Sequence, residues 1–165
     1  MAVKATDIGL GKSVNLVGAS IENGGYTVKK WTVKIADFTD GGGATGTVQL
    51  TPAIPAGSIL LGIVANVKTA LGCGTSANTA VGDGSTADCF SQNTDSILNL
   101  YSTGIKALTS LNGADENANA TPNITSDKTI TLTVTDGGGD FTTAVSAAVG
   151  EFDFYVFYLH LPLDA

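Results

Sequence analysis

Glycine breaks nearly every stretch of this chain in which apolar residues could recur at helical spacing. There are 21 glycines in 165 residues, and what survives between them alternates with a period of two. Lys128 to Thr135 shows this most plainly. Ile130, Leu132 and Val134 alternate with Thr129, Thr131, Thr133 and Thr135, which gives a strand with one apolar and one hydroxyl-bearing face. Segments of this kind bury their apolar positions by stacking one sheet on another.

The same reading extends along the chain. Tyr26 to Phe38 is a strand pattern with Val28, then Trp31, Val33 and Ile35 set against lysines. Its phase slips at Lys29-Lys30, which predicts a bulge or a break there. Asp40 to Gly43 is a turn, Gly46 to Leu50 a short strand, and Thr51 to Gly57 a corner punctuated by Pro52 and Pro55. Ser58 to Thr69 reads as a buried strand with Leu61, Ile63, Ala65 and Val67 on one face and Leu60, Gly62, Val64 and Asn66 on the other. Asn78 to Val81 is a strand, Gly82 to Asp88 a loop, and Asp88 to Phe90 one helical turn; Leu98 to Leu108 holds short strands or turns.

Asn112 to Thr125 is polar and reads as an exposed loop, and its Asn119 and Asn123 sequons mark surface rather than modification. After the turn Asp136 to Asp140 and a short segment comes Glu151 to Leu161, which carries most of the aromatic mass. There Phe152, Phe154, Val156 and Tyr158 oppose Tyr155, Phe157, Leu159 and Leu161, as expected of a strand central in its sheet or covering an intersubunit surface. The strand-DGGG pattern of Thr32 to Gly43 returns in Thr129 to Gly139 and reflects similar hairpin demands. The expectation is an all-β fold, an antiparallel, jelly-roll-like sandwich of about eight short strands with long loops. It forms one domain over residues 17–165, preceded by an arm, residues 1–16, that reaches a neighbour.

Composition then removes most chemistry. The eight basic residues are all lysine and His160 is the sole histidine, so no arginine fork and no histidine cluster can form. A lone imidazole makes neither a zinc site nor a triad, and His160 reads as structural. The expectation is a protein that is not an enzyme and has no cofactor. A net charge of -7 opposes a phosphate backbone, which argues against nucleic acid. The N-terminus shows no secretory signal, and the longest apolar run, Ile59 to Ala65, is too short to span a membrane. These features point to synthesis in a cytoplasm and no membrane partner. Only 14% of residues are charged, which suits a surface packed against neighbours.

Candidate sites follow from spacing alone. Asp83 with Asp88, and Asp136 with Asp140, have oxygen spacing that could serve calcium, although turns capped by aspartate explain them as well. Cys73 and Cys89 could close a disulfide loop contributing about 3 kcal/mol or remain free thiols. The missing signal favours the free form, and the residues leave the pairing open. Glu151 and Asp153 are a carboxylate pair on one strand face, which reads as solvated rather than glycosidic. The glycine clusters lack the lysine and hydroxyl of a phosphate loop.

Two segments resemble a pattern in small virion structural proteins of tailed bacteriophages: Ile54-Pro55-Ala56-Gly57 opening a strand, and Gly82-Asp83-Gly84-Ser85-Thr86-Ala87-Asp88 before Phe90. The closing strand, ending Tyr158-Leu159-His160-Leu161, is similar to the last strand of such proteins. Cys89 departs from the pattern, which more often has a basic residue there. The resemblance implies a head decoration (cement) or other minor virion protein on the capsid exterior. Its partners would be the major capsid protein and its own copies, with a trimer favoured. The competing reading is a carbohydrate- or receptor-binding module of a head or tail fibre, with Tyr26, Trp31 or Tyr101 around a shallow cleft.

Overall fold

A computed structural model of the chain describes residues 26–91, 98–108, 111 and 123–161. The expected arm, residues 1–16, and most of the loop 112–125 lie outside the described residues. The elements in chain order are β1 (Tyr26–Lys34), a 3-10 turn (Ile35–Asp37), β2 (Thr39–Asp40), β3 (Thr45–Ile54), β4 (Ser58–Thr69), β5 (Ala77–Gly82), β6 (Leu98–Asn99), β7 (Gly104–Ala107), β8 (Asn123–Ile124), β9 (Lys128–Asp136), α1 (Phe141–Ala147) and β10 (Glu151–His160).

The strands form two antiparallel sheets. Sheet A has the order β1-β10-β4-β7, with β8 also pairing β4, and sheet B the order β2-β3-β9-β5-β6. With the two-residue β2 and β8 set aside, the remaining eight strands, numbered along the chain, give 1-8-3-6 facing 2-7-4-5. Every connection but β5 to β6 crosses from one sheet to the other, which is the jelly-roll path. The expected all-β antiparallel sandwich is the fold observed.

The core lies between the sheets. β10 contributes Phe152, Phe154, Val156 and Tyr158, β4 contributes Ile63, Ala65 and Val67, and β9 contributes Ile130, Leu132 and Val134 from the opposite side. Each large side chain so buried stabilises the fold by roughly 1.5–3 kcal/mol. As its two-faced pattern predicts, β10 is an interior strand, hydrogen-bonded to β1 on one side and β4 on the other. At one end Phe141 of α1 closes the core. Its ring lies against Gly46, where a methyl group would overlap it, and stands 5.9 Å from the ring of Phe38.

Several local expectations are corrected. β1 pairs with β10 in unbroken register from Tyr26 to Lys34, so there is no bulge at Lys29-Lys30. Lys29 instead points inward with Trp31 and Val33, and its amine donates to the carbonyls of Pro52 and Ala53 at the end of β3. The strand stops at Lys34, whose N–H donates to the Asp37 carboxylate at 2.7 Å and starts the 3-10 turn that tucks Ile35 inside. β3 runs on through Pro52 to Ile54, which places the corner at Pro55 to Gly57.

In β4 a register shift opposite Phe157 and Tyr158 inserts Leu61 as an extra residue. Leu60 then points inward beside Ile63, Ala65 and Val67, while Leu61 turns out to solvent, 53% exposed. Residues 87–90 make a turn rather than a helix. The helix the spacing did predict nowhere is α1. Asp140 caps it by accepting from the Thr142 N–H at 3.0 Å, and Phe141 and Ala144 are buried one turn apart.

The two DGGG loops are alike only in their aspartates, each of which accepts the N–H two residues on. The first closes the β2–β3 hairpin and the second leads into α1, so the shared pattern is a shared turn rather than a shared hairpin. They lie side by side, joined by Asp136 N to Ala44 O, Phe141 N to Gly43 O and the Thr142 hydroxyl to Asp40.

Candidate interaction surface

Alternation gives each sheet an outer face, and the two differ in chemistry. On sheet B, register brings Thr45, Thr47 and Gln49 of β3 beside Thr135, Thr133 and Thr131 of β9, with Asn78 and Ala80 of β5 beyond them. This face is hydroxyl and amide. On sheet A, register aligns Val28 with Phe157, Tyr155 with Val64, Leu159 with Ile59, and Val64 with Ala107 of β7. Leu61 and Ile105 stand out of it, Ile105 at 75% exposure. Val28, Ile59, Val64, Tyr155, Phe157 and Leu159 of this face are half-buried, and single exposed apolar residues such as Leu61 and Ile105 are ordinary on a protein surface.

One end of the sheet A face carries the charges. Asp153 of β10 is 4% exposed and is held by three partners. Its carboxylate pairs with Lys30 at 2.8 Å and Lys68 at 3.0 Å and accepts from the Thr32 hydroxyl at 2.8 Å. Lys68 also reaches Glu151 at 3.1 Å, and the Lys30 amine sits 5.7 Å from the centre of the Tyr155 ring. Burial pushes the Asp153 carboxyl up, but the hydrogen bonds from Lys30, Lys68 and Thr32 outweigh it and hold the group well below the usual carboxylate range. The same bonds raise both lysines. The Glu151 and Asp153 pair is therefore a lysine-neutralised network rather than two solvated carboxylates.

Both edges of sheet A are blunted in the same manner. Lys29 on β1 and Lys106 on β7 point to the inner side, Lys29 onto the Pro52 and Ala53 carbonyls and Lys106 onto the Ser102 hydroxyl at 2.8 Å. Burial lowers the Lys29 amine below its ordinary value, an effect partly offset by Asp127. Inward lysines on edge strands obstruct the addition of a further strand. The described edges of sheet B are the two-residue β2 and β6.

The aspartates with calcium-like spacing each serve their own turn. Asp83 accepts from the N–H groups of Ser85 and Thr86, both at 2.9 Å, and from Lys128 at 2.6 Å. Burial raises its carboxyl, and these bonds more than reverse that, to about 2. Asp136 accepts from Gly74 and Gly138, Asp140 caps α1, and Asp88 lends its carbonyl to the Ser91 N–H. Among the described residues no three His, Cys, Asp or Glu side chains gather in a metal-like group.

The loop 83–88 folds back over Gly82, where a side chain would overlap the Thr86 carbonyl. That cover buries Thr131 and leaves its hydroxyl without a partner among the described residues. Gly82 to Asp88 is thus a motif of turn and close packing.

Cys73 and Cys89 are free thiols. Cys73 lies at the Ala77 end of β5 and Cys89 beside Phe90, whose N–H bonds Val81 O at the other end. Four residues of extended strand separate these ends by about 13 Å, well beyond the roughly 7 Å limit for a bridge. Burial pushes Cys73 up to about 11 and Cys89 to about 12, so neither is a nucleophilic thiolate near neutral pH.

His160 contacts the Ser58 hydroxyl through Nδ1 at 3.3 Å. Trp31 packs against Phe154, and its indole N–H donates to Thr51 O at 2.8 Å. Tyr101 lies towards the opposite edge of sheet A, its hydroxyl 3.3 Å from Gly74 O. The two aromatics therefore line no common cleft. A depression of about 370 Å³ between the β1 end and α1, lined by Lys34, Thr69, Val149, Gly150 and Glu151 among others, brings together no catalytic set. Among the described residues no helix is long and apolar enough to cross a membrane.

Sequence reasoning named Asp153 but missed Lys30, Lys68 and Thr32 as its partners, and missed Leu61 and Ile105. The lysines were legible only as alternation on distant strands, and the Leu61 bulge leaves no composition signal. No protein-family model matches the chain, and no curated protein matches it.

Proposed function

We propose that this protein is a non-enzymatic structural subunit of a virion, which decorates and stabilises a tailed-phage capsid lattice from the outside through contacts with the major capsid protein and with its own copies. The observation that supports this best is the outer face of sheet A. It presents apolar side chains on a sandwich whose described acidic clusters are committed to internal turns and ion pairs. A decoration protein works by many modest contacts multiplied over a lattice, and a broad sheet face supplies such contacts where a pocket would not. The Ile54 to Gly57 corner and the Gly82 to Asp88 loop, which carry the resemblance to phage virion proteins, are turn and packing features and suit a scaffold role.

The test is cosedimentation of the purified chain with undecorated phage-type capsids. Saturable, stoichiometric binding to the shell is the expected result, and absence of binding at any ratio rejects the proposal. The alternative, a carbohydrate- or receptor-binding module, needs an exposed aromatic platform. The inward packing of Trp31 and its distance from Tyr101 across sheet A speak against one, and glycan-array binding by the isolated protein would favour it.

A further inference from the structure

We draw no further inference here: the strongest candidate, the outer face of sheet A, where Leu61 and Ile105 stand out from half-buried apolar positions, carries none because nothing in the structure shows what covers it.

Discussion

Where the outside of sheet B carries Thr45, Thr47, Thr133 and Thr135, the outside of sheet A carries Ile59, Val64, Tyr155 and Leu159. Both faces are the leftover half of a period-two pattern whose other half fills one shared core. The core therefore dictates neither of them. Threonine combines strand-favouring β-branching with a hydroxyl that water satisfies, so the sheet B face is suited to solvent. The sheet A face is apolar along most of its length, and of the charged groups at its one end Asp153 is almost fully withdrawn from water by the lysines around it. A strand's inward residues report the fold, and its outward residues report what the fold meets.

The largest expected difference between the faces is at that carboxylate. Asp153→Ala removes the acceptor shared by Lys30, Lys68 and Thr32. The lysines left behind stay in contact with water, and chemical denaturation should show a loss of about 2 kcal/mol. Thr133→Ala on the other face should cost under about 0.5 kcal/mol. Equal small losses would mean that the Asp153 network is only decorative.

Acid should reproduce part of the same loss. Asp153 and Asp83 have carboxyls held below their unfolded values, so their contribution is complete above about pH 4 and declines as pH falls through the folded values, near 2 for Asp83 and lower for Asp153. Stability followed by denaturant titration from pH 6 to pH 2 should fall below pH 4, and Asp153→Asn should flatten the curve. A wild-type curve already flat over that range would break the assignment.

A smaller effect is expected where the 83–88 loop covers sheet B. Asp83→Ala removes the acceptor for Ser85, Thr86 and Lys128 and should lower stability by about 1–2 kcal/mol, read as a reduced melting temperature. Smallest of all, Thr131→Val should be neutral or stabilising by up to about 1 kcal/mol, since it removes a buried hydroxyl without a described partner. A marked destabilisation there would reveal a partner for that hydroxyl and make this end of sheet B a polar site.

Much of the fold was legible residue by residue. Lys128 to Thr135 alternates so cleanly that β9 and its buried face could be read directly, and the two-faced aromatic strand 151–161 declared an interior position. The candidate surface was far less legible. Lys30 and Asp153 are separated by 123 positions and meet only because β1 pairs with β10, information that no local pattern holds. The face assignments in β4 went wrong at Leu61 because one extra residue in a strand reverses every side chain beyond it. The short helix α1 gives almost no sequence signal because seven residues make barely two turns of periodicity, and only the Asp140 cap and the Phe141 and Ala144 spacing mark it.

By itself, then, the sequence determined that this chain is β-built, that its core would come from alternating Val, Ile, Leu and Phe, and that it has no arginine and a single histidine. These are consequences of local steric preference and of residue identity, which act over a few positions. Only the tertiary structure decided the strand order, the placement of an aspartate between two lysines, the separation of the two cysteines by the length of β5, and the gathering of outward apolar residues from four strands on one face. Those depend on which distant segments pair and in what register, and that is settled by burial of the whole core at once rather than by any single stretch of chain.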